Sequence, residues 1–345
     1  MNLPKIEELD VEGKIILLRC DLDVPLVDGN IKDDSRLVKS LPSIFELRER
    51  RASKIVLLGK LGRPKGQKDD SLSTRLLISW YTKKLNQSVR FVGFRLPADL
   101  QTAVGEVRNS GEQIIMFDNL RFWKEEIDND EEFGKKLSDM GDAYVNDSFG
   151  MSHREQASVM YPPKYLPKAA GVQFLAEVEN LSKVINSPER PVIVIISGAK
   201  KDKLDYLDDF REFADHIYVG GLLPKYFKES FNDEKITVLK LSQDGEDLTI
   251  RSIEKVEEAV AVAGTIVLSG PLGHFESPGH RLGTERVFTA VANSDAFKVT
   301  GGGDSTSVVN ELSLAGKFDW VSTGGGAMLE FLARGTLPGI IALTE

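Results

Sequence analysis

The sequence of 345 residues is poor in cysteine and histidine, and it contains no long apolar run. Its single cysteine, Cys20, excludes an internal disulfide and indicates a reducing compartment, so we expect a cytoplasmic protein. The His and Cys residues do not stand at the spacing of a zinc site. No apolar run approaches the ~20 residues of a membrane helix, and the N-terminal stretch MNLPKIEELDVEGK, acidic and broken by Pro4, is unlike a secretory signal.

Positive charge is not concentrated in any segment. The net charge is −9, and Lys and Arg residues are interspersed with acidic ones, which argues against binding to nucleic acid or to a membrane surface. Any anion that the protein binds must therefore be held by local groups. The length suits about two domains of ~150 residues each, and we expect the protein to be a monomer.

Short apolar runs rich in Val and Ile recur along the chain, with segments of helical spacing between them. Continuous rather than alternating hydrophobicity is typical of strands that are buried on both faces. The pattern predicts an α/β protein with two doubly wound, Rossmann-like parallel-sheet domains. The predicted strands are 14–19, 54–59, 89–93, 113–117, 143–147, 192–197, 216–221, 265–270, 297–302 and 320–325, and the clearest helical segments are 74–85 and 307–316.

The segment 175–186 separates two halves that differ in chemistry. Its apolar residues form a helical stripe, and the sequence NSPERP then ends the helix. We interpret it as a hinge helix between two domains, residues 1–172 with the C-terminal segment 331–345, and residues 173–330. An ordinary surface helix inside one domain is the alternative.

Several arginines lie near the ends of the predicted strands of the first half. Ligands of open α/β sheets bind beyond the carboxyl ends of the strands, so we expect these residues to share one edge. Guanidinium groups that converge from several strands bind phosphate and carboxylate bidentately, which suits a small, multiply anionic metabolite. A single such arginine would be an ordinary surface residue. The arginines are Arg19, Arg36, Arg63, Arg121 and Arg154.

The strand ends of the second half carry glycine instead. Glycine lets backbone N–H groups approach an anion at the positive end of a helix, so repeated glycine clusters favour a nucleotide lying across the sheet. Neither a GxxxxGK[ST] loop nor a clean GxGxxG is present, so another arrangement must hold the phosphates. The clusters are SGAKKDK (197–203), VGGLL (219–223), SGPLGHFE (269–276), TGGGDS (300–305) and STGGGAM (322–328).

Asp304 follows one of these glycine clusters directly. A carboxylate repels a phosphate unless a divalent cation lies between them, so the junction predicts a Mg²⁺–nucleotide site. Lys200 and Lys203 can supply positive charge to the transferring group. An anion site and a nucleotide site on two sides of a hinge favour phosphoryl transfer, with closure excluding water.

These residues lie in motifs that resemble those of the phosphoglycerate kinase family, in the family's order, from about Lys14 to Pro338. The motifs are RCDLDVPL, DDSRL, GKLGRPKG, DNLRFWKEE, YVNDSFGMSHR, SGAKKDK, GPLGHFE, GGGDSTSVV and STGGGAMLEFL. The resemblance implies transfer of the acyl phosphate of 1,3-bisphosphoglycerate to Mg-ADP, which gives 3-phosphoglycerate and Mg-ATP in glycolysis or its reverse. It also implies that the C-terminal segment returns to the first domain.

The same resemblance implies the site residues. The triose-binding positions are Asp21, Asp23, Arg36, Lys60, Arg63, Arg121 and Arg154. The nucleotide-binding positions are Gly198, Ala199, Lys203, Gly220, Gly221, Glu276, Gly302, Gly303, Asp304 and Ser305, with Glu276 on the ribose hydroxyls and Asp304 on Mg²⁺. The catalytic positions are Arg36, Lys200, Lys203, Gly302 and Gly325.

Three residues of the implied triose pocket depart from the family pattern. Asp23 replaces an Asn, Lys60 replaces a His, and Gln156 replaces a second His. Asp23 adds a negative charge and Lys60 adds a fixed positive one, so we expect the two charges to offset one another by about 1 kcal/mol. The triose site is therefore expected to survive with altered affinity.

The lysine motif departs as well, because SGAKKDK is one residue shorter than the family's GGAKVSDK. Lys200 and Lys203 are therefore three residues apart instead of four. Both spacings share one face of a helix, so the two amines can still converge. Lys201 could also replace one of them, and the sequence leaves the roles within this trio open.

The segment between VGG and SGPLG is far shorter than in the family, and the family's DIGP motif is reduced to DLTI (247–250). Because that region helps to wall the adenine, we predict a shallower base pocket and weaker discrimination between purines. The measurement is kcat/KM for ADP relative to GDP, which should be a smaller ratio here than in a full-length relative. Comparable ratios in the two proteins would contradict the prediction.

Two other interpretations compete with a kinase. The first is an inactive scaffold of the same fold that binds nucleotide, motivated by the substitutions at Asp23, Lys60 and Gln156. Against it, a chain without catalysis has no physical need to arrange Arg36 and Asp304. The second, a nicotinamide dehydrogenase, is weaker, since no GxGxxG opens a βαβ unit with an acidic residue about twenty positions further on.

Overall fold

Apolar runs of the N-terminal half form the first of two parallel sheets in the computed structural model, which describes residues 2–345. The strands are β1 (Ile15–Arg19), β4 (Lys54–Leu58), β5 (Val89–Val92), β6 (Ile114–Phe117), β7 (Ala143–Asn146) and β8 (Lys168–Ala170), with β2 (Leu26–Val27) and β3 (Asn30–Ile31) as a small antiparallel hairpin. The sheet order is β5-β6-β4-β1-β7-β8, and every neighbouring pair is parallel.

Apolar runs of the second half form the other parallel sheet. Its strands are β9 (Val192–Ile196), β10 (His216–Val219), β11 (Ile236–Val238), β12 (Thr265–Ser269), β13 (Phe297–Gly301) and β14 (Trp320–Ser322). They lie in the order β11-β10-β9-β12-β13-β14. The chain thus adds β10 and β11 on one side of β9 and the last three strands on the other, so a topological switch point lies between β9 and β12.

Helices connect the strands of both sheets. They are α1 (Ser35–Glu49), α2 (Ile78–Leu85), α3 (Leu100–Arg108), α4 (Lys124–Ile127), α5 (Glu131–Ser138), α6 (Ala157–Met160), α7 (Pro162–Tyr165), α8 (Val172–Asn186), α9 (Leu207–Phe213), α10 (Ile250–Ala261), α11 (Leu282–Asn293), α12 (Gly303–Glu311), α13 (Gly325–Arg334) and α14 (Pro338–Thr344). The chain divides into two compact units, Met1–Glu177 with Leu337–Glu345, and Val178–Thr336. The boundary between residues 177 and 178 falls inside α8.

The predicted fold class, with two parallel α/β sheets, is confirmed. β1, β9 and β12 are buried at every position, as their continuous hydrophobicity predicts. Two three-residue strands, β8 and β11, and the hairpin were missed, because segments this short carry too little pattern. The helix expected over 307–316 instead begins at Gly303, directly after the glycine cluster, and ends at Glu311.

No single helix within residues 2–345 is long and apolar enough to cross a bilayer. One bent pair, α13 followed by α14, meets the requirement by length and composition when its members are taken together. Most of the large apolar side chains of both helices are buried in the protein, among them Met328, Leu329, Phe331, Ile340 and Leu343.

A buried carboxyl group marks the start of α8. Asp147 directly follows β7, and its Oδ1 accepts a hydrogen bond from the Phe174 N–H at 3.0 Å in the first turn of the helix. Burial raises the pKa of Asp147 to about 7, against the opposing effect of hydrogen bonds from Ser43, Phe174 and Gln173. An unfolded Asp has a pKa of about 3.9, so the folded state binds the proton more tightly.

Asp147 therefore makes the first unit less stable as the pH rises from about 4 to about 7. We expect Asp147→Asn, which keeps the carbonyl acceptor for Phe174, to stabilise the protein increasingly over this range, by up to about 4 kcal/mol. Urea unfolding followed by tryptophan fluorescence measures this in a Trp320→Phe background, where Trp80 and Trp123 report only the first unit. An equal stability difference at pH 5 and pH 8 would show that the prediction is wrong.

Candidate functional site

The carboxyl ends of β6, β4, β1 and β7 are neighbours in the first sheet, and the residues after them form the first candidate site. Asp23 follows β1, Lys60 follows β4, and Arg121 follows β6. Arg36 lies in the first turn of α1, the helix that follows β1 and the hairpin. Strand order alone therefore brings these side chains, distant in sequence, to one edge of the sheet.

The Asp23 carboxylate is the centre of the contacts in this cluster. It forms an ion pair with the Lys60 ammonium, and its Oδ1 accepts the Gly62 N–H at 2.8 Å. Arg36 donates from Nη1 to the Asp23 backbone oxygen at 2.8 Å, and its guanidinium lies 3.5 Å from Asp23 Oδ2 and 3.7 Å from Asp21 Oδ2. Asp23 thus fixes both cations.

The charges of this pair depend on one another. Burial alone would raise the pKa of Asp23, but Lys60, the Gly62 N–H and Arg36 together hold it below its ordinary value. Burial lowers the pKa of the Lys60 amine, and the two nearby carboxylates of Asp23 and Asp21 oppose that shift. The two residues that depart from the family pattern are therefore direct partners, as the expected charge offset requires.

Three further basic residues and a histidine surround the pair. Arg121 is buried and donates from Nη1 to the Gly62 backbone oxygen at 3.1 Å. Burial lowers the pKa of Arg121, and the positive charges of Arg154, Arg19 and Arg63 lower it further by repulsion. Burial and Arg154 lower the pKa of His153 to about 4, so His153 is neutral at pH 7. Arg63 and Arg154 are exposed to solvent.

Arg19 does not belong to this cluster, and the prediction that it joins the basic strand ends is wrong. Arg19 is the last residue of β1 itself and is fully buried. Its Nε donates to Ser158 Oγ at 3.0 Å, and its Nη1 donates to the Cys20 oxygen at 2.6 Å. The same Ser158 hydroxyl donates to the buried Glu126 carboxylate at 2.6 Å. Arg19 thus forms hydrogen bonds inside the core of the first unit and is not available to bind a ligand at the strand ends.

Sequence reasoning missed two residues of this edge. Lys39 lies one turn after Arg36 on α1; burial lowers its pKa, and Glu177 and Asp21 oppose the shift, which places its ammonium near the cluster. The buried Asn119 accepts the N–H groups of Leu61 and Arg121 with one Oδ1, so it ties the loops after β4 and β6 together. The spacing of three between two cations on one helix was a signal for Lys39.

The second candidate site lies at the switch point of the second sheet. Lys203 Nζ donates to the backbone oxygen of Ser197 at 2.6 Å and to that of Ser269 at 3.2 Å, one residue past β9 and at the last residue of β12. Ligands of doubly wound sheets bind at the carboxyl ends of the strands where the chain reverses its direction of winding. The ammonium of Lys203 therefore lies where a ligand is expected.

The three lysines of the SGAKKDK motif lie in different surroundings: Lys200 lies near Lys203, and Lys201 lies near Tyr226. Burial lowers the pKa of Lys203 to about 8; Asp304 opposes the shift and Lys200 adds to it, so both charges lie close to Lys203. Residues Lys201–Tyr206 form a 3-10 helix capped by Lys200, in which residues three apart eclipse one another. Lys201 instead lies over the Tyr226 ring at 5.4 Å.

Glycines let the backbone segments at this edge approach one another closely. Gly302, at φ 93°, is the N-cap of α12, and a Cβ there would lie 3.0 Å from the Gly325 Cα. Gly221, at φ 59°, would place a Cβ 2.4 Å from the Gly198 backbone nitrogen. Residues with side chains cannot replace either glycine without moving the backbone, because both the conformation and the space exclude them.

The other predicted nucleotide residues differ in exposure. Ala199, Glu276, Gly303 and Asp304 are exposed, the last two in the first turn of α12. Gly220, Gly221 and Ser305 are buried. The Ser305 hydroxyl accepts the Gly270 N–H at 2.9 Å, so it is already used to hold the loop after β12.

Asp304 is the residue expected to hold a metal. Within residues 2–345, no group of three or more His, Cys, Asp or Glu side chains is assembled as a metal site. Magnesium ions in nucleotide sites usually take one or two protein carboxylates and complete their coordination with phosphates and water. A single exposed carboxylate beside the backbone N–H groups of a helix start fits that pattern.

Comparison with known proteins identifies one family. The family model described as phosphoglycerate kinase matches residues 6–247 and 228–334. Phosphoglycerate kinase of Borrelia duttonii is 33% identical over 393 aligned residues, covering 99% of this chain and 100% of the relative, and that of Dictyoglomus turgidum is 34% identical, covering 99% and 98%. The first alignment is longer than this chain, so that relative contains segments absent here.

Solved structures give the same result for the fold. Phosphoglycerate kinase from Pyrococcus horikoshii matches with a TM-score of 0.84 and 30% identity, and that from Coxiella burnetii with 0.80 and 27%. Each match covers 99% of this chain and 98% of the other. By sequence over nearly its whole length and by fold, this chain belongs to the phosphoglycerate kinase family.

Proposed function

We propose that this chain catalyses reversible transfer of the acyl phosphate of 1,3-bisphosphoglycerate to ADP, with a carboxyl group as the acceptor in the reverse direction. The phosphoglycerate kinase function follows from the family, and nothing in the comparisons favours an inactive scaffold. The proposal adds the reaction, the residues and the metal. The first unit binds the triose, and the second binds the nucleotide.

The triose is held by the basic edge of the first sheet. Arg63, Arg121 and Arg154 bind its phosphate and carboxylate groups, with Asp21 and the Asp23–Lys60 pair setting the charge around them. Arginine suits this role because its planar fork donates two parallel hydrogen bonds to such anions. The guanidinium groups of Arg63 and Arg154 are exposed, and that of Arg121 is buried.

The nucleotide is held by the switch point of the second sheet. The glycine N–H groups at the start of α12 bind phosphate oxygens, Lys203 and Lys200 supply positive charge, and Glu276 accepts hydrogen bonds from the ribose hydroxyls. Asp304 would hold Mg²⁺, which neutralises charge on the nucleotide phosphates when it is bound.

The chemical step breaks the bond between phosphorus and the acyl oxygen and forms a bond between phosphorus and a β-phosphate oxygen of ADP. The leaving group is the carboxylate of 3-phosphoglycerate, so neither a covalent nucleophile nor a proton donor is required. The protein contributes position and positive charge, which Arg36, Lys200 and Lys203 supply together with N–H groups at Gly302 and Gly325.

The observation that carries the proposal is the position of Lys203. Its ammonium is held at the switch point by the backbone oxygens of Ser197 and Ser269. The test is a coupled assay in which 3-phosphoglycerate and MgATP drive NADH oxidation through glyceraldehyde-3-phosphate dehydrogenase. We expect turnover that requires both substrates. A chain that binds ADP in calorimetry but supports no NADH oxidation would be an inactive scaffold instead.

The Asp23–Lys60 pair predicts non-additive mutational effects. Lys60→His alone leaves the half-buried Asp23 carboxylate without its lysine partner, and we expect KM for 3-phosphoglycerate to rise about tenfold. Asp23→Asn alone removes the carboxylate that holds Lys60 and Arg36, so it should also raise KM, and additive effects would make the double variant worse than either single one. In the double variant, which restores the family's residues, KM should return to within about threefold of the wild type. Additive effects would contradict the coupling.

The proposal also includes a monomer in the cytoplasm that acts without nucleic acid or membrane. The presence of a single cysteine supports a reducing compartment, and burial raises the pKa of the Cys20 thiol well above its ordinary value, which keeps it unreactive. The dispersed charge supports the absence of a polyanionic partner.

A further inference from the structure

The loop that carries Glu276 is held by a short acidic hairpin, residues 241–248. Leu241 and Leu248 pair as an antiparallel bridge, and the Ser242 N–H donates to the Asp247 oxygen at 2.8 Å. This hairpin ends in the DLTI segment, which keeps only the aspartate of the family's four-residue motif. The loop that carries Glu276, residues 270–281, connects β12 to α11.

The Asp247 side chain contacts the loop at Gly273 and the start of α11 at Gly283. Its Oδ2 accepts the Gly283 N–H at 3.1 Å, in the first turn of α11. Its Oδ1 lies so close to the backbone of Gly273 that a Cβ there would be only 2.4 Å away, and at Gly283 only 2.5 Å away. The side chain is buried, with 6% of its surface exposed.

The carboxylate is stabilised in this buried position by backbone N–H groups. Besides Gly283, the Leu248 N–H donates to Oδ1 at 2.7 Å. The start of a helix carries partial positive charge, which favours an anionic group at this point. Neighbouring residues of the hairpin add contacts to the same loop. The Glu246 backbone oxygen accepts the His274 backbone N–H at 2.8 Å, and Asp244 Oδ2 lies 3.0 Å from His280 Nε2.

We infer that Asp247 is a positioning residue for nucleotide recognition: by binding the Gly283 N–H and packing against Gly273 it sets the loop from which Glu276 reaches the ribose hydroxyls. The inference rests on the proposed function, which assigns Glu276 to the ribose. The segment that is shortened in this chain thus keeps one role, the support of the ribose loop, through a single carboxylate.

The test compares two ligands, ADP and 2′,3′-dideoxy-ADP, by calorimetry with the full chain. The wild type should bind ADP about tenfold more tightly, since hydrogen bonds from hydroxyls to a carboxylate are lost in the dideoxy ligand. In Asp247→Ala the loop loses its contacts at Gly273 and Gly283, and we expect the ratio of the two dissociation constants to fall below about twofold while binding of 2′,3′-dideoxy-ADP changes little. Gly273→Ala, which displaces Asp247 without removing it, should lower the ratio similarly and serves if Asp247→Ala does not fold.

Asp233→Asn is the matched control. Asp233 accepts the Lys235 and Ile236 N–H groups at the start of β11, the opposite end of the sheet from the nucleotide. Asp233→Asn should lower the melting temperature and leave the ratio of the two dissociation constants unchanged. If the role of Asp247 were purely structural, Asp247→Ala would give the same result. A wild-type ratio in both Asp247→Ala and Gly273→Ala, or a ratio near one in the wild type, overturns the inference even when the coupled assay shows kinase activity. Absence of that activity in the wild type overturns the proposed function instead.

Discussion

Replacing Arg36 by alanine is expected to lower kcat about 1,000-fold, the largest effect of any single change in this chain. Arg36 is held by the Asp23 backbone oxygen and by the carboxylates of Asp21 and Asp23, so its guanidinium is oriented before substrate binds. A preorganised cation loses little energy in reorganising when charge moves onto the transferring phosphoryl group. The effect should therefore fall on kcat and not only on KM.

Two further variants make the Arg36 prediction specific. Arg36→Lys keeps a charge but loses the fork, so kcat should be intermediate. Arg48→Ala, on the same helix, removes an arginine that donates to the Leu85 oxygen at the far end of α1, and kcat should stay within about twofold of the wild type. An effect of Arg36→Ala confined to KM for 3-phosphoglycerate would reduce Arg36 to a binding residue.

Replacing Lys203 by alanine is expected to lower kcat about 100-fold and to weaken ADP binding. The amine is fixed by the backbone oxygens of Ser197 and Ser269, so its charge has a defined position at the strand ends. Lys201→Ala is the matched control, because that lysine lies over the Tyr226 ring, and it should change kcat by no more than about threefold. A larger loss in Lys201→Ala than in Lys203→Ala would reverse the assignment of the two lysines.

The pKa of Lys203 predicts that ADP binding weakens at alkaline pH. Its pKa of about 8 is lower than that of an ordinary lysine because it is buried, so the positive charge is present below about pH 8 and is lost as the pH rises through this value. Magnesium-free ADP binding, measured by calorimetry between pH 7 and 9.5, should weaken in the wild type. The same titration in Lys203→Ala should be flat over this range, and a parallel decline in both proteins would assign the effect to another group.

Local patterns predicted most of the fold. Continuous apolar runs identified the long strands of both sheets because a strand buried on two faces needs apolar residues at every position. The candidate residues after these strands followed from the rule that ligands bind at the carboxyl ends. The same reasoning failed for Arg19, since it is the last residue of β1 itself, a strand buried at every position, and its side chain is therefore buried too.

The contacts that define the two sites were not predictable in the same way. The ion pair of Asp23 with Lys60 joins residues 37 positions apart, and the bond from Lys203 to Ser269 joins residues 66 positions apart. The roles of Lys200, Lys201 and Lys203 also depended on a 3-10 helix, which could not be predicted from the spacing of these lysines.

By itself, the sequence determined where the strands run, which chemical groups follow them, and the family to which its motifs point, because each of these is a property of a few consecutive residues. Only the tertiary structure decided which of those groups meet: that Asp23 holds Lys60 and Arg36, that Lys203 lies between β9 and β12, and that Asp247 binds Gly283 beside Gly273. Strand order and burial set these contacts, and both arise from packing between segments distant in the chain.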